Sequence, residues 1–276
     1  MKQMKVFISA DIEGIWGVVS RDQADPLGKN YERARKLMTE EINWVVEEAF
    51  NAGAKEVVIN DSHGRMDNLL IEQLYPRAVL ISGSPKPLSM MQGIDQSYDA
   101  VIFIGYHPRA GTSEGIFDHT YAGSIVASVK INGKEVGECG LNAGLAGYFD
   151  VPVVLVSGDD KVVAQSKEEI GTIEGVVVKE TMARYAAKNC SLEEVKKRYK
   201  EAIQRALGHV DQYPLVEYEG EIELELAFNA TIMTEVAMLV PGVKRKGARC
   251  ITYSSGDYLD LYRLFRALII LAGSTL

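Results

Sequence analysis

Cysteine is scarce: Cys139, Cys190 and Cys250 are the only three in 276 residues, an odd number with no CxxC spacing. This argues against a disulfide framework and fits thiols that pack inside a protein of the reducing cytoplasm. Basic residues are in deficit too, 30 against 38 acidic ones for a formal charge of −8, and no basic tract occurs. Nucleic acid is therefore not an expected partner, because its binding rests on clustered Lys and Arg. Long apolar runs are missing as well. Met1-Lys2-Gln3-Met4-Lys5 leads straight into a short strand-like run, and the apolar stretch near the C-terminus is broken by Arg263 and Arg266. Neither a signal-peptide core nor a membrane span is expected, so the chain reads as cytoplasmic with no membrane partner. There is also no HExxH helix, P-loop, GxSxG elbow or GxGxxG after the first apolar run. The length suffices for one large α/β domain, or one plus a smaller unit, with a core of its own.

What is present is a set of apolar runs that each stop at a metal-ligand side chain. Residues 4–10 end at Asp11-Ile12-Glu13-Gly14, residues 56–60 at Asp61-Ser62-His63, and residues 99–106 at His107. As parallel strands of an open sheet they would deliver these groups to one rim, outside the carboxyl ends of the strands. Between the first two, Met38, Ile42, Val45 and Ala49 recur at helical spacing over 31–51, with Gly53 placed for a left-handed cap. A short helix is expected over 68–74, a strand over 78–82, and a hairpin of 124–131 turning at Asn132-Gly133. Gly137 opens a helix in which Gly140, Gly144 and Gly147 share a face, predicted to pack closely on the sheet. A buried strand over 151–157 ends at Gly158-Asp159-Asp160. Further on come a charged helix over 191–208, with Ser191 as N-cap and Glu194 completing a capping box, an alternating strand from Ile222, and a last helix over 257–272. The expected fold class is α/β: an open, mostly parallel sheet with helices on both faces, plus a smaller C-terminal α+β region. Residues 1–165 would form the metal-binding domain and 166–276 the unit that shapes the pocket and an oligomer interface.

Asp11, Glu13, His63, His107 and Glu138 offer three carboxylates and two imidazoles, a mixture that suits zinc, manganese, cobalt or iron better than magnesium or calcium. Asp11 and Glu13, two apart, project to one side of an extended backbone. Glu138 stands at a helix N-terminus, where the dipole favours an ionised carboxylate. Asp11 and Glu13 suit chelation of one cation or a bridge between two, and because five ligands exceed one tetrahedral zinc, two divalent ions sharing one carboxylate are expected. Asp61 is expected to orient a histidine from behind, and Asp159 and Asp160 to be charged loop residues. His119 can ligate or exchange a proton near neutral pH, and His209 receives no chemistry. Singly, each acid or histidine reads as well as a turn or capping residue. Their joint occurrence at three strand ends favours a metal.

In order along the chain, Asp11-Ile12-Glu13-Gly14, Asn60-Asp61-Ser62-His63, Gly105-Tyr106-His107, Asp118-His119 and Gly137-Glu138 resemble the zinc-dependent D-aminopeptidases of the bacterial dipeptide-transport operon type. The resemblance runs nearly end to end, through Asn30-Tyr31-Glu32-Arg33, Ser82-Gly83, Lys86-Pro87, Leu141-Asn142-Ala143 and Gly158-Asp159-Asp160. It implies that Asp11, Glu13, His63, His107 and Glu138 ligate two zinc ions and that His119 is the catalytic residue. It further implies release of N-terminal D-amino acids from short peptides, and a ring-built homodecamer whose active sites face an internal chamber. The loop 108–115 is longer than the family pattern and carries an added acid, Glu114, which bears on specificity.

The expected function is a metal-dependent aminopeptidase that hydrolyses N-terminal D-amino acids from short peptides or amides by a metal-activated water. Asp118 and Glu114 are candidates to receive the substrate ammonium. Two other readings stand beside it: a two-metal phosphoesterase with Lys86 or Arg109 over the phosphate, and a non-catalytic metal- or peptide-binding module.

Overall fold

The computed structural model describes residues 3–276. β1 (Lys5–Ala10) leads through the single-turn helix α1 (Arg21–Ala24) to α2 (Tyr31–Asn51), β2 (Glu56–Asp61), β3 (Val79–Ile81), β4 (Ala100–Tyr106) and the hairpin β5 (Val126–Ile131) and β6 (Lys134–Glu135). Then come α3 (Glu138–Tyr148), β7 (Val153–Asp159), α4 (Asp160–Ile170), β8 (Glu174–Ala183), β9 (Ala186–Asn189) and α5 (Leu192–Gly208). β10 (Ile222–Phe228), α6 (Thr231–Ala237), β11 (Lys244–Gly247), β12 (Cys250–Ser255) and α7 (Tyr258–Gly273) complete the chain. No helix among the described residues is long and apolar enough to cross a membrane.

Seven strands form one sheet in the order β3-β2-β1-β4-β7-β8-β9, parallel except where β9 turns back on β8. Ala10 pairs with Asp61 on one side and Ile104 on the other, so β1, β2 and β4 end at the same rim. Alternate residues of these strands enter two cores. Phe7 and Phe103 meet α3 and α7, while Val6, Ile8 and Ile102 meet α2 and α5. Burial on both faces is what makes Ala100–Tyr106 continuously apolar. A second, antiparallel sheet has the order β11-β12-β10-β5-β6. Its hairpin turns at Asn132 and Gly133, both in the left-handed region that a two-residue turn requires.

Several local expectations need correction. The helix expected over 68–74 is only a 3-10 turn, Ile71–Gln73. The strand expected to stop at 157 runs on to Asp159, which is a fully buried N-cap that accepts from Val162 N rather than an exposed loop acid. The glycine face of α3 does not lie on the sheet. An added Cβ at Gly144 would meet the Tyr258 ring at 2.5 Å, and one at Gly147 would meet the Val216 carbonyl at 2.1 Å, so these glycines admit α7 and the 215–218 segment. Position 165 falls inside α4, and each sheet takes strands from both sides of it: β8 and β9 complete the first, β5 and β6 the second.

Candidate metal centre

The site begins with the way β1 ends. Asp11 N donates to Ile104 O at 2.8 Å and Gly14 N to Gly105 O at 2.7 Å, which folds the 11–14 turn across the end of β4. The crossing is close enough to demand glycine: a Cβ on Gly14 would stand 1.9 Å from Tyr106 O, and one on Gly105, at φ +71°, 2.1 Å from Asp11 O. His107 follows directly. At the end of β2, Ser62 N donates to Ala10 O at 2.8 Å and brings His63 alongside. Glu138 enters from the first residue of α3, its Oε1 accepting from Tyr121 N at 2.6 Å.

All five candidate ligands meet in one place. Asp11 stands between two imidazoles, Oδ1 3.3 Å from His63 Nδ1 and Oδ2 3.5 Å from His107 Nε2. Glu13 Oε2 lies 2.9 Å from His63 Nδ1, and Glu138 Oε1 lies 3.4 Å from His107 Nε2. His119 stacks on His107 with ring centres 4.0 Å apart, and its Nε2 is 4.0 Å from Glu13 and 3.9 Å from Glu138. Asp11, Glu13, His107 and Glu138 are 3–4% exposed.

Each imidazole has one nitrogen committed to a main-chain carbonyl, which can only accept. His63 Nε2 donates to Ala24 O at 2.7 Å, His107 Nδ1 to Pro108 O at 3.0 Å, and His119 Nδ1 to Phe117 O at 2.6 Å. In neutral rings the other nitrogens therefore turn lone pairs toward carboxylate oxygens, which is repulsive unless a proton or a cation lies between. Glu13 Oε2 and His107 Nε2 are sealed from solvent without an aligned hydrogen bond. Protons reveal the same field. Burial and Glu13 push the Asp11 carboxyl up to about 7. Burial opposes charge on His107, yet Glu138, Glu13 and Asp11 carry it to about 10. Burial likewise works against His63, and Glu13 and Asp11 still hold it well above the usual range. His119 is lowered, by burial and then by His107. Buried acids opposed to imidazole lone pairs form a donor set that a divalent cation would satisfy. Two such sets share a residue: Asp11, Glu13 and His63 in one, Asp11, His107 and Glu138 in the other, the ligand atoms of each within 4.8 Å of one another. Glu13, His107 and His119 form a third possible group.

Asp61 does not orient an imidazole directly, contrary to expectation. Its carboxylate accepts from Asn68 N, Asn68 Nδ2 and Leu69 N at 2.7–2.8 Å, and Asn68 Nδ2 also donates to the His63 carbonyl at 2.7 Å. Asp61 thus fixes the His63 main chain through Asn68. Asp118 is engaged by Arg184 at 3.1 Å and by Gly111 N at 2.9 Å, and Glu114 is exposed, so neither is placed to receive an ammonium at the centre. Lys86 donates to Asn60 Oδ1 and Asp61 O, and Arg109 faces Glu169 and Glu135, so neither is free to cover a phosphate.

Residues not singled out in the sequence support the centre from below. Lys179, fully buried, donates to the carbonyls of Glu13, Ile15 and Val18 at 2.6, 3.0 and 2.5 Å and so clamps the loop that carries Glu13. Burial lowers its pKa to about 8 against the pull of Asp159 and Glu41, which leaves it a cation at neutral pH. Glu41 braces the same loop, accepting from Trp16 N at 2.7 Å and Tyr199 Oη at 2.5 Å. The available signals were a charge directly after the run Val176-Val177-Val178, for Lys179, and an acid beside the apolar stripe of α2, for Glu41. Around His119, Phe117 and Tyr121 hold positive φ, 52° and 60°, a strain of order 1–3 kcal/mol each. Their amides are tied to Arg184 O and Glu138 Oε1.

Two cavities meet at Glu13, His63 and His119. The larger and more open, about 480 Å³, is lined further by Arg21, Asp25 and Tyr185. The smaller, about 170 Å³, is lined by Asp11, Glu138, Met66, Tyr121 and Arg266.

Comparison with known proteins places this geometry. A family model described as D-aminopeptidase matches residues 4–267. The D-aminopeptidase of Bacillus subtilis (strain 168) is 38% identical over 276 residues, spanning 99% of each chain. A solved structure described as the Zn-dependent D-aminopeptidase DppA from Bacillus subtilis, a self-compartmentalizing protease, is similar with a TM-score of 0.94 and 38% identity, covering 98% of each chain. A match of that length in both sequence and fold makes this chain a member of the D-aminopeptidase family.

Proposed function

We propose that Asp11, Glu13, His63, His107 and Glu138 hold two zinc ions, with Asp11 as the bridge, and that the protein removes N-terminal D-amino acids from short peptides with His119 as its catalytic residue. The observation that carries this reading is the single carboxylate, Asp11, shared between two three-residue donor sets. Zinc held there supplies Lewis acidity, lowering the pKa of water from about 16 toward about 7 and polarising a carbonyl.

The chain's own residues do the rest. The carbonyls of Ala24 and Pro108 fix the tautomers of His63 and His107, so that Nδ1 of the first and Nε2 of the second are the nitrogens that would hold zinc. His119 keeps its proton on Nδ1, held by Phe117 O, and presents the Nε2 lone pair beside Glu13 and Glu138. Nε2 is thereby placed to take a proton from the attacking water and return it to the leaving amine. The His107 ring packs against one face of it. The phosphoesterase reading lacks a free cation at Lys86 or Arg109, and the family match favours the peptidase.

The relative's self-compartmentalizing assembly supports an oligomer for this chain, in our reading a ring-built homodecamer in the cytoplasm with short peptides as substrates. The test couples zinc analysis to turnover of matched D- and L-aminoacyl amides and dipeptides. About two zinc ions per chain and turnover confined to the D series are expected. Full zinc loading with no turnover in either series would refute the catalytic reading.

A further inference from the structure

We propose that Arg266 receives the C-terminal carboxylate of the short-peptide substrate in the smaller cavity, and so selects peptides with a free C-terminus. The inference rests on the aminopeptidase reading above and concerns a residue from the far end of the chain, on α7.

Arg266 is half-buried in the wall of the 170 Å³ cavity, whose lining also includes Asp11, Glu13 and Glu138. Its Nε is sealed from solvent and has no hydrogen-bond partner, and no carboxylate among the described residues forms an ion pair with it. The donors open to the cavity are its terminal Nη groups, which make no hydrogen bond among the described residues, and a planar guanidinium matches a carboxylate by two parallel hydrogen bonds. The guanidinium lies over the Tyr121 ring, 5.0 Å from its centroid. Tyr121 is itself immobilised: its hydroxyl donates to Asn142 Oδ1 at 2.6 Å, and its amide donates to Glu138 Oε1. One residue therefore fixes both the guanidinium and a candidate ligand, setting a distance between the point of hydrolysis and the point of charge recognition.

Size agrees. The cavity, about 170 Å³ and lined by the candidate ligands as well as Arg266, is small and so suits a short leaving group. The arginines of the larger cavity are less suited. Arg184 is spent on Asp118, and Arg21 is exposed.

D-alanylglycine and D-alanylglycinamide differ only at the terminal carboxylate. On zinc-loaded wild type we expect kcat/KM for the acid to exceed that for the amide by about 10-fold or more, mainly through KM. Arg266→Met should reduce that ratio to about 2 or less, and Arg266→Lys should keep an intermediate ratio because charge without the planar fork remains. A readout without turnover uses the same pair with the scissile carbonyl reduced to methylene: by calorimetry the acid should bind the wild type more tightly than the amide, and the two should bind Arg266→Met alike. Wild-type turnover of acid and amide at equal efficiency would overturn the assignment while leaving the peptidase reading intact. A preference erased by Arg21→Met and kept by Arg266→Met would also overturn it, by moving the carboxylate to the larger cavity. If the wild type hydrolyses no D-aminoacyl compound, the peptidase reading fails, and the binding of the reduced pair decides the role of Arg266 alone.

Discussion

At the scale of single residues the centre divides labour among three histidines that look alike in the sequence. His63 and His107 each sit against two of the three buried carboxylates, whereas His119 approaches Glu13 and Glu138 only at 3.9–4.0 Å and lies over the His107 ring. Alanine at His63 or His107 is expected to lower both zinc content and turnover. Alanine at His119 should keep most of the zinc and reduce kcat by about 10²–10⁴-fold, the usual worth of a positioned acid or base. Metal analysis beside steady-state kinetics on the same preparations checks this, and equal zinc loss in all three variants would contradict it. The candidate ligands were legible because acids and imidazoles at strand ends are a strong pattern. Their orienting partners were not, because these are main-chain carbonyls of Ala24, Pro108 and Phe117, groups that every residue carries.

At the scale of elements, the centre depends on how tightly β1 and β4 cross at their ends. Gly105→Ala adds a Cβ 2.1 Å from Asp11 O at a backbone angle that L side chains rarely adopt. It should destabilise the protein by about 2 kcal/mol or more and weaken zinc binding, since relief requires Asp11 to move. Denaturant unfolding and zinc titration of this variant measure the two effects, and unchanged zinc affinity would separate the crossing from the site. The sequence conveys α2 to the residue, because its apolar spacing and Gly53 agree. It conveys the buried strands and the Asn132-Gly133 turn as well. α4, β8 and β9 were not foreseen. β8 mixes buried valines with exposed Glu180 and Met182 and carries Lys179 inward, so neither a two-residue period nor an apolar run survives. The glycine face of α3 was visible, but its partner was not, because a stripe of small residues marks a close neighbour without naming it.

For the whole molecule, two buried acids in separate places make stability depend on pH in an unusual direction. Burial pushes both Glu41 and Glu169 up to about 7, above the ordinary 4.5. Between about 4.5 and 7 the folded chain therefore retains protons that the unfolded chain has released. These two groups make stability fall as pH rises through that window and leave it level above. Measured at fixed zinc by urea unfolding at pH 5 and pH 7.5, Glu41→Gln should lose stability less steeply than the wild type. An identical slope in the two proteins would show that Glu41 is already ionised at pH 5.

The exchange of strands between the two sheets has a consequence for any attempt to dissect this protein. A fragment stopping at residue 165 would contain every proposed zinc ligand and His119, yet it would lack Lys179, the clamp beneath Glu13, and Arg266, while β5 would have lost its neighbour β10. The first half thus holds the proposed reactive groups and the second half the residues that set their posture, so a fragment cut at residue 165 is expected neither to bind zinc tightly nor to turn over substrate.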